Sequence, residues 1–204
     1  MPKAAPPTPK GAKRVEAIIE AAIRCLGRDG YSASSLRTIA EEAGVGKRAV
    51  LYYFDDRQDL LQQVVRRIGD RLLARLADVV AGREDPEEIV SAAFNPMWEA
   101  FTQDRALLAA YFGLIAESVT DPELRASTSY INDGVRRVVA ELITDAKARG
   151  RTPVLPAPVL TETIVAGMQG LTLTYLERGE TPELLGTLAA FRDWLAAALP
   201  LASE

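Results

Sequence analysis

The sequence predicts an all-α protein of nine helices. Apolar residues recur at three- and four-residue spacing along most of the chain, the signature of amphipathic helices. Alternating apolar–polar runs and β-branched clusters, which would signal strands, are nearly absent. Glycines, and Asp or Thr followed by Pro, interrupt the pattern where helices should stop and start.

The elements follow in order. Val15, Ile18, Ile19, Ala22, Ile23 and Leu26 make one face of a first helix, with Gly27 and Gly30 near its end. Ser34 and Ser35 offer an N-cap for a short second helix, LRTIAEEA, closed by Gly44. Residues 47–54 form a third. Asp55 and Asp56 can cap a long fourth, whose face holds Leu61, Val64, Val65, Ile68, Leu72, Leu76 and Val79 up to Gly82. Asp85–Pro86 opens a fifth, with Ile89, Ala93, Met97 and Phe101, in which Pro96 should introduce a kink. Asp104 opens a sixth with Leu107, Leu108, Tyr111, Phe112 and Ile115. Asp121–Pro122 opens a long seventh carrying Leu124, Ile131, Val135, Val138, Leu142 and Ala146, ending at Gly150. The proline-rich stretch TPVLPAP reads as a loop. Leu160, Ile164, Met168, Leu171 and Tyr175 mark the eighth helix, and Thr181–Pro182 starts the ninth with Leu184, Leu188, Phe191, Leu195 and Leu199.

Composition narrows the function classes. The 204 residues include no histidine and one cysteine. Imidazole acid–base chemistry and His-ligated metal sites are therefore excluded. Cys25 alone cannot form an internal disulfide or a thiolate zinc site. The longest stretch without a charge is fourteen residues, Thr163 to Leu176, short of the roughly 18–20 apolar residues of a spanning helix. Residues 1–12, MPKAAPPTPKGA, are Pro-rich and basic without an apolar core, so they read as a disordered arm and not a signal peptide. A cytoplasmic protein is expected. The net charge of −4 hides an asymmetry: residues 1–57 carry ten Lys/Arg and seven Asp/Glu, while the remainder carries fourteen and twenty-one. A positive head on an acidic body points to a polyanion met by the head alone.

The constellation that carries function lies in residues 34–57. Two short helices joined through Ala43, Gly44 and Val45 have the form of a helix-turn-helix. Ala40 is small enough for a close crossing, Gly44 permits a positive φ, and Leu36, Ile39, Val45 and Val50 are apolar plugs that set the interhelical angle. Gly46, Lys47, Arg48, Ala49 and Tyr52 remain to face outward, towards a major groove.

The run SSLRTIAEEAGVGKRAVLYYF-DDRQDLL resembles the DNA-binding head of the TetR family of one-component repressors. The motif covers roughly residues 13–65; the rest agrees by number, order and length of helices. The resemblance implies a helix-turn-helix domain at 13–57 and a ligand-binding and dimerisation domain at 58–204. It implies that Ser35, Arg37 and Thr38 hold phosphates or the groove edge. Lys47, Arg48 and Ala49 face bases, with Arg48 able to take guanine bidentately and the Ala49 methyl able to meet thymine. Tyr53 falls in the family's His/Tyr phosphate slot, and Arg57 stands for the usual Lys at the start of the fourth helix. On this basis Arg57→Ala weakens all DNA sites alike. Two positions depart from the pattern. Gly46 replaces a common Ser, and Leu51 replaces a Tyr, with Tyr52 one residue and about 100° further round the helix.

The same resemblance implies a homodimer joined through the last two helices, for which Leu160, Ile164, Gly167, Leu171, Leu188, Phe191 and Leu195 are the candidates, with Gly170 a second point of close approach. It implies a small-molecule effector pocket among the middle helices. The candidate lining is Met97, Trp98, Phe101, Tyr111, Phe112, Tyr130 and Met168, with Glu117 or Gln169 as polar anchor, and Phe94 belongs to the same aromatic cluster. No cofactor is called for. The expected function is a ligand-responsive regulator, foremost a repressor, that grips a palindromic operator in successive major grooves. An effector would tilt the fourth helix and spoil the spacing of the two heads.

Two other classes were weighed. Glu41–Glu42, Asp55–Asp56 and Glu87–Glu88 are paired acids that an enzyme could use, but no nucleophile–base constellation accompanies them. An all-helical adaptor for protein partners is the other alternative; a shift of the protein's own promoter DNA separates the two readings.

Overall fold

The computed structural model describes residues 8–80 and 94–201. Nine helices lie among the described residues: α1 (Pro9–Ala33), α2 (Leu36–Glu42), α3 (Lys47–Tyr53), α4 (Arg57–Val80), α5 (Phe94–Thr102), α6 (Arg105–Ser118), α7 (Pro122–Ala148), α8 (Ala157–Arg178) and α9 (Pro182–Ala198). The described residues contain no strand, only an isolated antiparallel bridge between Arg151 and Leu201.

Side-chain caps account for most of the helix starts. Asp104, Asp121 and Thr181 each accept from a backbone N–H in the first turn of the helix that follows. Asp56 accepts from the Asp59 N–H at 2.8 Å, and the Asp59 carboxylate accepts from the Asp55 N–H at 3.1 Å, two bonds that cap α4. Thr8 caps α1, which therefore starts at Pro9, inside the stretch expected to be a disordered arm. Its missing N–H costs nothing at the first position. The start of α8 likewise takes Ala157 and Pro158 from the end of the expected loop. The expected opening of the fifth helix at Asp85–Pro86, with Ile89 and Ala93, lies outside the described residues, as does the expected end of α4 at Gly82; Pro96, where a kink is expected, is the third described residue of α5.

Two compact units emerge. The first joins the chain up to Arg71 to Asp104–Ile131; the second joins Leu72–Gln103 to the chain from Asn132 onward. Within the first unit α1 lies along α6. Gly27 explains how closely. A Cβ there would sit 2.3 Å from the Ala106 carbonyl oxygen, so Gly27 is a point of backbone contact and not the helix end expected of it. The break comes at Gly30, where φ is +80°. Ile18, Leu60, Leu61, Ile68, Leu107, Leu108, Leu114 and Leu124 are fully or almost fully buried in this unit. On its surface Arg71 donates to Glu20 at 3.0 Å and Arg67 pairs with Glu16, tying α4 to α1.

In the second unit α8 packs against α9. Phe94, Trp98, Leu171, Leu184, Leu188 and Leu195 form its main cluster. Ile143, Ala146, Leu160, Ala198 and Leu199 form another. A Cβ at Gly167 would meet the Phe191 ring at 2.5 Å, so this glycine serves the chain's own α8–α9 contact.

Candidate nucleic-acid interface

The helix-turn-helix is built as its residues require. Ser35 caps α2, accepting from the Thr38 N–H at 3.1 Å, and the two hydroxyls lie 2.9 Å apart. Both side chains are therefore engaged locally before any ligand is met. After α2 the Val45 N–H donates to the Ala40 carbonyl at 2.9 Å and the Gly44 N–H to Glu41 at 3.1 Å, with Gly44 at φ +64°. Nothing lies within 4 Å of where a Gly44 Cβ would be, so the position demands glycine for its backbone alone. Gly44→Ala is expected to lower stability by about 1–2 kcal/mol, the cost of a left-handed L-residue, read as a drop of a few degrees in the thermal midpoint.

Ile39, Ala40, Val50 and Phe54 are buried, while Leu36 and Val45 are half-buried. They anchor α3 so that its other face is free. Gly46 caps α3 without a side-chain bond, its carbonyl accepting from the Ala49 N–H at 2.8 Å. Lys47 and Arg48 are exposed, Ala49 is half-buried, and α3 carries no acidic residue. Tyr52 is 65% exposed and meets Tyr53 edge-on at 4.9 Å; Leu51 is at the threshold of exposure. The exposed tyrosine of α3 is Tyr52; Tyr53 is half-buried. Arg37 is exposed but pairs with Glu41 at 2.9 Å, which holds the guanidinium further above its ordinary range.

Arg57 departs from the expected outward phosphate grip. Its Nε–H donates to the Ser34 carbonyl at 3.1 Å and its Nη2–H to the Tyr31 carbonyl at 2.7 Å. The guanidinium lies 4.2 Å from the centre of the Tyr31 ring. The Ser34 carbonyl and the Tyr31 carbonyl, which also accepts from the Ser34 N–H at 3.3 Å, draw it inward at the corner after Gly30, a pull the sequence pattern does not show.

A second brace was also missed. Arg24 donates to Glu42 at 2.8 Å and Arg28 at 3.0 Å, fastening α2 to α1. The hydrogen bonds from Arg24 and then Arg28 hold the Glu42 carboxyl below the usual range, and Arg28 does the same for Asp29. A depressed carboxyl stabilises the fold above its ordinary titration range and loses that contribution as pH falls through and below it. Glu42→Gln should therefore lower the unfolding midpoint at pH 7 by more than it does at pH 3. Cys25 is fully buried next to this brace, and burial raises its pKa, so it stays a thiol at neutral pH.

The expected effector-pocket residues are distributed over both units. Trp98 is 6% exposed and meets Tyr175 edge-on at 5.9 Å, with Met97 and Met168 packed on the same cluster and Phe101 half-buried. Gln169 donates weakly to Asn132 at 3.4 Å. Those residues belong to the second unit. Tyr111 and Phe112 pair edge-on at 5.1 Å in the first unit, which also holds half-buried Glu117. Tyr130 lines no apolar wall: it is 48% exposed and its hydroxyl donates to Asp70 at 3.0 Å. It borders an open, polar groove with Gln62, Arg66, Asp70, Glu123 and Ser127. Among the described residues no His, Cys, Asp or Glu cluster could hold a metal ion, and no helix is long and apolar enough to cross a membrane.

The expected dimer residues all lie in or against the packing of α8 and α9 within one chain. Leu160, Leu171, Leu188 and Leu195 are buried within one chain, and Ile164, Gly167 and Phe191 pack on the same clusters. Helix periodicity marks a face that seeks apolar cover, and here α8 and α9 cover each other.

Comparison with known proteins follows this geometry. The model of the bacterial regulatory proteins, tetR family, matches residues 18–64. That of the BetI-type transcriptional repressor C-terminal region matches residues 86–200. The chain is 27% identical over 169 residues to the HTH-type nicotine-responsive transcriptional repressor HdnoR of Paenarthrobacter nicotinovorans, covering 83% of this chain and 87% of the relative. It is 23% identical to the HTH-type transcriptional regulator UidR of Escherichia coli K12, covering 65% of this chain and 66% of that one. A transcriptional regulator from Saccharomonospora viridis, solved in complex with choline, superposes with a TM-score of 0.80 at 19% identity, covering 92% of this chain and 98% of that one. At that identity the likeness establishes the fold.

Proposed function

The chain belongs to the tetR family of bacterial regulatory proteins, and from that premise we propose that it grips double-stranded operator DNA as a homodimer and lets go when a small molecule binds its C-terminal part. The observation that carries the first half is α3: two exposed cations, no acid, and a buried opposite edge at Val50 and Phe54 that holds the helix in place. Lys13 and Arg14 on α1 are exposed as well and add to the positive field.

One short helix reads too few bases for specificity, so the head should act twice on a two-fold site. Leu160, Leu171, Leu188 and Leu195 are buried and Ile164, Gly167 and Phe191 half-buried, so the dimer face would draw on what α8 and α9 leave outside. Val159, Ala166, Gly170 and Leu173 are exposed at spacings of seven, four and three residues, a stripe suited to helix packing. Leu185, Gly186 and Ala189 continue it on α9.

The effector reading is supported by the aromatic and methionine side chains around Trp98 and Tyr175. The named ligands of the relatives are nicotine and choline, and both are organic amines or ammonium compounds of the kind that aromatic faces attract. Thermal-shift titration with choline and with nicotine tests this directly, since a ligand at a hundred times its Kd adds about 2.7 kcal/mol. The DNA half is tested by selecting duplexes from a random library and measuring affinity between 50 and 200 mM salt. A steep fall, about 0.9 in log–log slope per phosphate engaged, is expected; a salt-insensitive complex would contradict the proposal.

A further inference from the structure

We propose that Arg57 is a positioning residue, a clasp that closes the helix-turn-helix at its base and thereby sets the pose of α3, and that it makes no phosphate contact. The inference deepens the DNA-binding reading and rests on it. Arg57 is the first residue of α4, and its two acceptors are the carbonyls of Tyr31, in the last turn of α1, and of Ser34, the residue before the Ser35 cap of α2. The guanidinium therefore joins the residue before the helix-turn-helix to the residue after it.

Three contacts share one side chain. Two are hydrogen bonds, at 3.1 and 2.7 Å, and the third is the Tyr31 ring at 4.2 Å. The planar fork of Arg reaches two carbonyls while its face stacks on a ring; an ammonium group gathers its three donors at one point and lacks that flat face. Both ends of the clasp are themselves fixed. Ser34 is fully buried and its hydroxyl donates to the Gly30 carbonyl at 2.7 Å. The start of α4 is held by the Asp56 carboxylate on the Asp59 N–H and the Asp59 carboxylate on the Asp55 N–H. Since α3 lies between these ends and is joined to α4 through buried Phe54, the clasp makes α1, α3 and the first turn of α4 turn as one body.

A phosphate grip and a clasp differ in what they do to salt dependence. Removing a phosphate contact lowers the slope by about 0.9 per protomer, roughly two per dimer. Releasing a clasp misplaces the reading helix and leaves the slope unchanged. The experiment uses the full chain and a labelled duplex enriched by the wild-type protein from a random library, with anisotropy titrations at several salt concentrations. Arg57→Lys and Tyr31→Leu are each expected to weaken binding about tenfold at unchanged slope. The double variant is expected to be no weaker than the worse single one, because both break the same contact. Tyr31→Phe keeps the ring and the carbonyl and should bind as wild type. Unfolding midpoints verify that each variant is folded; Arg57→Gln, which keeps a donor without the charge, substitutes for any that is not, and should also retain the slope. The proposal is overturned if Arg57→Lys or Tyr31→Leu binds like wild type, or if Arg57→Gln lowers the slope by about two. If the wild-type protein enriches no duplex, the DNA-binding reading and the clasp fall together; the other failures remove the clasp alone.

Discussion

Gly27→Val destabilises the first compact unit by about 3 kcal/mol, at the upper end of what overpacking a close contact costs. The reason is that the obstruction is backbone. A Cβ at position 27 lies 2.3 Å from the Ala106 carbonyl oxygen and 2.9 Å from its carbonyl carbon and Cα. No rotamer change relieves that overlap; α1 and α6 must separate. Separation opens gaps beside Leu107 and Leu108, which are all but inaccessible to solvent. The lost dispersion contacts then add to the strain. Chemical unfolding followed by far-UV circular dichroism measures the change as a lower midpoint at an unchanged denaturant slope. Gly113→Ala is the control. It sits in α6 with nothing within 4 Å of its added Cβ, so helix propensity alone should raise stability by up to about 1 kcal/mol. Equal effects at the two positions would mean that the close crossing does not exist in solution.

Arg48→Ala reduces affinity for a selected duplex by about 1–3 kcal/mol per half-site and relaxes the preference at one base pair. Arg48 is exposed in the first turn of α3. A guanidinium at this place is free to meet guanine O6 and N7 as a fork, which is how a single side chain distinguishes G·C from the other pairs. Competition with duplexes changed at one position at a time separates base reading from charge. If Arg48→Ala lost affinity equally on every duplex, the residue would be a phosphate contact and base choice would belong elsewhere on α3.

Different kinds of evidence made different parts of the molecule legible in the sequence. The helix-turn-helix could be found because its constraints are local. Ser35 must cap, Gly44 must adopt a positive φ, and Ile39 and Val50 must point inward; each condition acts over three or four residues and leaves a residue type behind. The effector pocket was less legible because an aromatic residue packed in a core and one lining a pocket look alike in sequence. Tyr130 shows the difference: counted among apolar candidates, it stands half in solvent with its hydroxyl on Asp70.

A helical chain, the approximate span of its described helices and a compact basic helix-turn-helix near its start can all be read from the residues alone, although α1 and α8 start earlier than their patterns predict. These follow from periodicity, capping chemistry and charge, which neighbours along the chain enforce. Only the tertiary structure decided the use to which shared residue types are put. Gly27 lies at a helix crossing because Ala106, nearly eighty positions away, comes against it. Leu160, Leu171, Leu188 and Leu195 belong to the interior of one chain because α8 and α9 cover each other. Arg57 turns inward because the carbonyls of Tyr31 and Ser34 come within reach of its fork. Each depends on partners distant in sequence, and a periodic pattern records that a face needs a partner without recording which partner it meets.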